Sequence, residues 1–176
     1  MPADRTFNVL FLCTGNSARS ILGEALLNHV SGDRFRAYSA GSHPKGQVHP
    51  MTLEVLANAG ISIDGLRSKA WDEFAVPDAP KMDFVFTVCD QAAGEACPLW
   101  PGQPMTAHWG IEDPAAVQGS EFQRQAAFED ALSYMRNRIA AFTNLPLTSI
   151  DRLTLTSKLR GIGAMDGSTV TAPQVA

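Results

Sequence analysis

The chain has no long hydrophobic run and contains few cysteines and tyrosines. Its 176 residues include three cysteines and two tyrosines. No stretch of about 18 consecutive apolar residues occurs, as a transmembrane helix would need. The first five residues, Met-Pro-Ala-Asp-Arg, lack the hydrophobic region of a signal peptide. We therefore expect a cytoplasmic protein with no membrane partner.

Positive charge is also scarce. The chain carries 14 lysines and arginines against 18 acidic residues, a net charge of -4. Nucleic-acid binders usually present a basic face, so no nucleic-acid partner is expected. In a reducing compartment the three cysteines, Cys13, Cys89 and Cys97, are more often catalytic, redox-active or metal-binding than structurally bridged. Their positions along the chain therefore matter more than their number.

The hydrophobic content of 45% is enough for one buried core. We predict one domain over residues 1–145 and a C-terminal extension over residues 146–176. The last part of the extension, from residue 166, is composed of small and polar residues. We expect that end to be disordered, because such residues bury too little apolar surface to offset the loss of chain entropy.

The most informative stretch is 13–20, with the sequence Cys-Thr-Gly-Asn-Ser-Ala-Arg-Ser. It follows the apolar run 7–12, which predicts a buried parallel strand. After it, apolar residues recur at three- and four-residue steps from Ile21 to Leu26, which predicts a helix beginning near Ser17. The unpaired N–H groups and the positive dipole of a helix N-terminus bind anions. This loop is therefore expected to hold a tetrahedral dianion such as arsenate, phosphate or sulfate.

Cys13 is the predicted nucleophile of this loop. The helix N-terminus, Arg19 and Ser20 are expected to bring its pKa well below the ordinary value of about 8.5. Arg19 can fork two donors onto two anion oxygens, which a lysine cannot do in the same geometry. A lone cysteine at a strand end is commonly an inert buried thiol, but the neighbouring glycine, arginine and serine favour a nucleophile. The predicted oxyanion-binding residues are Thr14, Gly15, Asn16, Ser17, Ala18 and Arg19.

The rest of the chain alternates between strand and helix patterns. Strands are predicted at 35–41, 84–88 and 106–109, helices at 52–59 and 121–142, and a short docking helix over Ile150, Leu153, Leu155, Leu159 and Ile162. This alternation is typical of an α/β fold with a parallel sheet covered on both faces. Active sites of such sheets lie at the carboxyl ends of the strands. Cys13 and Cys89 both follow predicted strands.

The pattern Cys-x5-Arg-Ser after an N-terminal strand resembles the phosphate loop of low-molecular-weight protein tyrosine phosphatases and of the arsenate reductases that share their fold. The resemblance covers nearly all of residues 6–145. It implies a three-layer α/β/α fold with a four-stranded parallel sheet, of phosphotyrosine phosphatase I-like, flavodoxin-like topology, in which 1–145 is the catalytic domain. Asp113 matches the general acid of the family. Pro114 biases it toward an extended backbone that can hold the carboxyl over the loop.

The second and third cysteines resemble the resolving cysteines of thioredoxin-coupled arsenate reductases. The resemblance implies that Cys13 forms a covalent bond to arsenic, that Cys89 attacks Cys13, and that Cys97 then takes over the disulfide. It implies arsenate as substrate and thioredoxin as reductant, with glutaredoxin or glutathione as alternatives, and no tightly bound cofactor. Phosphatases typically have a tyrosine where Ala115 stands and a cysteine where Ala18 stands. Both differences favour arsenate over phosphotyrosine.

Two other functions stay open. The first is a tyrosine or small-molecule phosphatase that works through a Cys13 phosphoenzyme and has incidental second and third cysteines. The second is a noncatalytic arsenite or soft-metal binder that uses the three thiols, a function that leaves Arg19 and Asp113 unexplained. Residual phosphatase activity is compatible with a reductase, because phosphate and arsenate are near isosteres.

Asn16, Glu24 and Ser39 match positions that help to hold a potassium ion behind the loop in some arsenate reductases. The fourth ligand there, an aspartate, aligns near Ser68 or Lys69. Our hypothesis is that the ammonium group of Lys69 replaces the cation. The alternative is that Asn16 only bonds loop backbone and that Lys69 is solvated. No metal site is predicted, since the histidines lack the spacing of metal ligands.

Overall fold

The computed structural model describes residues 5–90, 92 and 100–169. Its centre is a sheet of four strands: β1 (Phe7–Cys13), β2 (Phe35–Gly41), β3 (Phe84–Thr87) and β4 (Met105–His108). The strand order is β2-β1-β3-β4, and every neighbouring pair is parallel. This arrangement confirms the predicted α/β class and the four-stranded parallel sheet. Because β1 lies between β2 and β3 and is parallel to both, the carboxyl ends of the three strands lie side by side at one edge of the sheet.

Within the described residues, four α-helices surround the sheet: α1 (Arg19–Val30), α2 (Pro50–Asn58), α3 (Glu121–Thr143) and α4 (Arg152–Gly163). Helix α1 begins two residues later than predicted. Helix α3 begins at a capping box, in which Ser120 and Gln123 each bond the other's backbone N–H. Single 3-10 turns lie at Trp71–Phe74 and Pro114–Ala116. In the described part of the chain, no helix is long and apolar enough to cross a membrane.

The two faces of the sheet bury different sets of side chains. On one face, Phe11 and Phe86 pack with Trp109 and with buried residues of all four helices. The Trp109 and Phe86 rings stack with their centroids 3.8 Å apart. On the other face, Leu10 and other alternate strand residues pack against Phe74 of a 3-10 turn. Alternation of side chains along each strand thus supplies two apolar layers, which hold the strand ends in fixed positions.

The C-terminal extension packs against the rest of the domain. Leu155, Leu159 and Ile162 are buried on one face of α4, as predicted, but Leu153 is 82% exposed. Its assignment to the docking face was wrong, because only the other three follow the four- and three-residue steps of one helical face. The expected disorder is also wrong for residues 166–169, which are hydrogen-bonded to the domain. Residues 170–176 lie outside the described part.

Candidate active site

The loop between β1 and α1 folds around the sulfur of Cys13. The backbone N–H of Asn16 donates to Cys13 Sγ at 3.1 Å, and Ser20 Oγ lies 3.3 Å from the same sulfur. Asn16 has a φ of +46°, in the left-handed region that residues other than glycine rarely adopt. This turn directs the amide of Asn16 toward the nucleophile.

The side chain of Asn16 explains how its backbone conformation is maintained. Its Nδ2 donates to Ser20 Oγ at 2.8 Å and to Ser39 Oγ at 3.1 Å. Its Oδ1 accepts the backbone N–H of Lys69 at 2.8 Å. Asn16, Ser20 and Ser39 are fully buried. Hydrogen bonds inside the protein therefore offset the strain of the left-handed turn.

The ammonium group of Lys69 lies behind the loop, next to the residues that the resemblance links to a cation. Lys69 Nζ is 3.0 Å from the carbonyl oxygen of Arg67, 3.4 Å from Glu24 Oε1 and 3.4 Å from Ser39 Oγ. Its side chain is 7% exposed, so the alternative of a solvated lysine is wrong. Burial lowers the pKa of Lys69, and the carboxylate of Glu24 opposes that shift. The ammonium of Lys69 thus faces the partly buried carboxylate of Glu24.

In front of the loop, a cleft of about 610 Å³ contains most of the predicted site residues. The predicted residues that line it are Cys13, Thr14, Gly15, Ser17, Ala18, Arg19, Cys89 and Asp113. Asn16 and Ser20 are buried behind it. Cys97 lies outside the described residues. Among the residues that the structure describes, no three histidines, cysteines or acidic residues form a group that could hold a metal ion.

Arg19 and Asp113 lie together at one side of the cleft. Arg19 Nη1 donates to the carbonyl oxygen of Ile111 at 2.8 Å, and Nη2 is 3.7 Å from Asp113 Oδ2. Asp113 has the extended backbone predicted from Pro114, and its Oδ1 accepts the N–H of Ala115 at 3.0 Å. These contacts orient a guanidinium and a carboxyl toward the same space.

Cys89, two residues after the end of β3, lines the same cleft as the loop. Its sulfur lies 3.5 Å from Thr14 Oγ1 and accepts the N–H of Ala92 at 3.3 Å. Both thiols are buried and unpaired by disulfides. The second thiol that the sequence predicts therefore lies beside the residue that follows Cys13.

A hydrogen bond between the two thiols shifts their pKa values in opposite directions. The hydrogen bond from Cys13 is the largest cause that lowers the pKa of Cys89 to about 5, and Thr14 and Ala92 add to it. The same bond, followed by burial, raises the pKa of Cys13 well above its ordinary value. The sequence expectation of a lowered Cys13 pKa rested on Ser20 and Arg19, which do lower it, but took no account of Cys89, which raises it.

Several residues of the cleft were not predicted: His43, Lys45, Asp90, Glu112 and Thr169. His43 and Lys45 follow β2 and bond the carbonyl oxygens of Thr14 and Gly15 through their backbone N–H groups. The rule that sites lie at carboxyl ends of strands could have found these two. Thr169 bonds Asp90 across 79 residues of sequence, and no local pattern indicates such a contact.

Comparison with known proteins identifies the family. The family model described as low molecular weight phosphotyrosine protein phosphatase matches residues 8–146. The chain belongs to this family. Within it, the arsenate reductase of Bacillus subtilis strain 168 is 35% identical over 134 residues, which are 76% of this chain and 93% of that protein.

Solved structures show the same fold. The arsenate reductase of Archaeoglobus fulgidus superposes with a TM-score of 0.61 at 26% identity, covering 78% of this chain and 99% of that one. The thioredoxin-dependent arsenate reductase of Corynebacterium glutamicum has a TM-score of 0.54 at 27% identity. That match covers 76% of this chain but only 60% of the Corynebacterium chain. The phosphatase-like fold is therefore confirmed, and the similar proteins named here are arsenate reductases.

Proposed function

We propose that this protein reduces arsenate to arsenite, with Cys13 as the nucleophile and Cys89 as the thiol that resolves the covalent intermediate. The presence of two buried thiols in one cleft at the oxyanion loop carries the proposal. A phosphatase needs only the first thiol. A second thiol in the same cleft is what a reaction ending in a disulfide requires, and the names of the similar proteins agree with that chemistry.

In the first step, arsenate occupies the loop in front of Cys13. Backbone N–H groups of residues 14–19 and the guanidinium of Arg19 bind its oxygens. Cys13 loses its proton to solvent and attacks arsenic as a thiolate. The departing oxygen takes a proton from Asp113 and leaves as water. Ser20 and the N–H of Asn16 stabilise Cys13 while it carries the negative charge.

In the second step, the Cys89 thiolate attacks Cys13 Sγ. The bond between Cys13 and arsenic breaks, and its electron pair stays on arsenic. Arsenic is thereby reduced from As(V) to As(III), while the two thiols are oxidised to a disulfide, so two electrons pass from the thiols to arsenic. Phosphorus does not accept electrons in this way, so a phosphoenzyme at Cys13 would be hydrolysed instead.

The enzyme must then recover its thiols. We propose that Cys97 attacks the Cys13–Cys89 disulfide at Cys89, which frees Cys13, and that an external dithiol reduces the resulting Cys89–Cys97 disulfide. The thioredoxin dependence of the Corynebacterium protein supports a thioredoxin as that reductant. Glutaredoxin or glutathione is the alternative. No tightly bound cofactor is part of the proposal.

A phosphatase that forms a phosphoenzyme at Cys13 is the second candidate. Arg19 Nη2 and Asp113 Oδ2 lie 3.7 Å apart at the cleft. This arrangement favours attack on a phosphate ester as much as on arsenate. The same cleft can therefore support both reactions. Only the reduction depends on Cys89, which gives the experiment that separates them.

The test compares the wild type with Cys89→Ser in two assays. The first follows NADPH oxidation with arsenate, thioredoxin and thioredoxin reductase. The second follows hydrolysis of an aryl phosphate. We expect arsenate-dependent oxidation in the wild type and at least about a 100-fold loss in the variant. Any aryl phosphate hydrolysis should stay within about twofold, because that reaction has no step at Cys89.

Each contrary outcome has a clear meaning. Hydrolysis of the aryl phosphate without arsenate-dependent oxidation, with thioredoxin and with glutaredoxin, would make the protein a phosphatase. Stoichiometric binding of arsenite without turnover in either assay would make it a noncatalytic thiol binder. Full arsenate reduction by Cys89→Ser would remove Cys89 from the mechanism.

A further inference from the structure

The C-terminal extension returns to the active site after leaving the part of the chain that the family model matches. Helix α4 packs beside β4, and the indole N–H of Trp109 donates to the carbonyl oxygen of Leu159 at 3.0 Å. After α4, Ser168 pairs with Ile111 in an antiparallel bridge, and the N–H of Thr169 donates to the carbonyl oxygen of Gly110 at 3.2 Å. The extension therefore reaches the edge of the cleft.

A buried arginine fixes this path. Arg138 on α3 is fully buried and donates to the carbonyl oxygens of Met165 and Asp166, each at 3.1 Å. A buried guanidinium needs such acceptors, because it loses its hydration on folding. The turn between α4 and Thr169 is thus held from inside the domain.

At Thr169, its last described residue, the extension contacts Asp90, the residue that follows Cys89. Thr169 Oγ1 donates to Asp90 Oδ1 at 2.7 Å, and His108 Nε2 lies 2.8 Å from the same oxygen. The other ring nitrogen, His108 Nδ1, lies 2.8 Å from Thr87 Oγ1 on β3. Three parts of the chain therefore hold the backbone next to Cys89: β3, β4 and the extension.

Two glycines make room for these contacts. A Cβ at Gly110 would collide with Thr169 Oγ1 and with the ring of His108. A Cβ at Gly163 would collide with the carbonyl oxygen of His108, so α4 could not lie against the end of β4. Side chains at either position would separate the extension from the site. Glycine at positions 110 and 163 therefore permits the close approach of the extension.

We propose that Thr169 of the C-terminal extension, together with His108, clamps Asp90 and so positions Cys89 for its attack on Cys13. The inference rests on the proposed function, since it concerns the step after arsenate has bound. The clamp does not touch Arg19, Asp113 or the loop amides, so it has no part in the attack by Cys13. The Asp90 side chain is 64% exposed, and the clamp can therefore exchange with water when the segment after Cys89 must move.

If the clamp positions Cys89, its loss should slow formation of the Cys13–Cys89 disulfide but not the hydrolysis of an aryl phosphate. Thr169→Val removes the hydroxyl that bonds Asp90 and keeps the shape of the side chain. We expect formation of the Cys13–Cys89 disulfide to slow about fivefold, the factor that loss of one ordinary hydrogen bond produces. Aryl phosphate hydrolysis should stay within about twofold. Disulfide formation is measured by acid quench, alkylation of free thiols and mass spectrometry after one arsenate turnover.

Thr156→Val is the matched control. Thr156 lies on α4 in the same extension, and its hydroxyl bonds only the Arg152 carbonyl oxygen of its own helix. This variant should leave both steps unchanged. Asp90→Asn and the double variant Asp90→Asn with Thr169→Val complete a double-mutant cycle. If Thr169 acts through Asp90, the two effects should not add.

Wild-type rates of disulfide formation in Thr169→Val would overturn the clamp. An equal loss in both steps would also overturn it, because it would show a general structural defect. Oxidation by diamide provides a measurement that does not depend on arsenate. If the wild type forms no disulfide with arsenate, the proposed function fails. The effect of Thr169→Val on diamide-driven formation of the same disulfide then still decides the positioning role.

Discussion

The two thiols of the cleft are held by different kinds of surroundings. Cys13 lies against Asn16 and Ser20, which are fully buried, with Lys69 behind them at 8% exposure. Cys89 is followed by Asp90, whose side chain is 64% exposed and which is bound by polar groups at the surface. Buried polar networks cost much to disturb, whereas exposed bonds compete with water and are weaker.

This difference agrees with what each thiol has to do in the proposed reaction. The oxyanion loop must keep one shape in order to bind and orient an anion. Cys89 must first meet Cys13 and then become accessible to another thiol. A rigid buried network suits the first task, and a clamp that can exchange with water suits the second. Variants on the two sides should therefore differ in which step they affect and by how much.

The largest effect on activity is expected at Arg19. In Arg19→Lys the charge remains, but the two-pronged donor to the anion is lost. Arsenate reduction and aryl phosphate hydrolysis should both fall by about 100- to 1000-fold, since both place negative charge on the bound oxygens. Steady-state kinetics of the two reactions provide the measurement. Arg36→Lys, at an exposed position on β2, should change neither.

Loss of one reaction alone in Arg19→Lys would contradict a shared oxyanion site. It would mean that arsenate and phosphate esters are held by different groups. The comparison with Cys89→Ser is then decisive, because that variant is expected to lose only the reduction.

The next largest effect is on stability and is expected at Lys69, behind the oxyanion loop. Lys69→Met removes the ammonium that faces Glu24 and leaves this partly buried carboxylate without its cation, with only the hydroxyl of Ser39 as a described side-chain donor. We expect the free energy of unfolding to fall by about 2 to 3 kcal/mol, measured by urea denaturation. The double variant Lys69→Met with Glu24→Gln should recover most of this loss, because it leaves no unpaired charge.

Added potassium tests whether Lys69 replaces a cation. In Lys69→Met, potassium should restore part of the stability, whereas an equal concentration of a bulky organic cation should not. The wild type should respond to neither. A strong rise of wild-type activity with potassium would contradict the replacement, because the site would then still need the ion.

A smaller effect is expected from the hydrogen bond between the two thiols. The pKa of Cys89 is lowered from 9.0 to about 5, so the folded state loses this proton at lower pH than the unfolded state. The resulting stabilisation is lost as pH falls toward 5 and grows as pH rises toward 9. The difference in unfolding free energy between wild type and Cys89→Ser should therefore increase from pH 5 to pH 8.

Cys13→Ala sharpens this pH test. It removes the hydrogen bond that is the largest cause of the lowered Cys89 pKa. The difference in unfolding free energy between Cys13→Ala and Cys13→Ala with Cys89→Ser should therefore vary less with pH. A difference between wild type and Cys89→Ser that stays constant from pH 5 to pH 8 would contradict the lowered pKa of Cys89.

Sequence reasoning found the Cys13 side well because its parts are close along the chain. An apolar strand, a glycine-bearing loop and an arginine at a helix start lie within residues 7–20, and each has a local pattern. Cys89 was also found, since carboxyl ends of parallel strands meet at one edge. The effect of each thiol on the pKa of the other was not, because it depends on how distant parts of the chain fold together, which no local pattern specifies.

The other side of the cleft is assembled from distant residues. His108 carried no recognisable spacing, and Thr169 lies in a segment that composition alone marks as disordered. Arg138 resembled any arginine on an amphipathic helix. Their roles arise from the path of the extension across α3 and β4. Such a path is set by the sum of many weak contacts and by two close glycine approaches, and it has no short motif.

The central claim is that Cys13 and Cys89 become a disulfide when arsenate is reduced. It is tested most directly in Cys97→Ser, where the disulfide cannot move on to the third cysteine. Reduced protein is mixed with arsenate without any reductant, quenched in acid, alkylated and mapped by mass spectrometry. The account predicts one Cys13–Cys89 disulfide for each arsenite released. Arsenite release with Cys13 and Cys89 both still alkylated would contradict it.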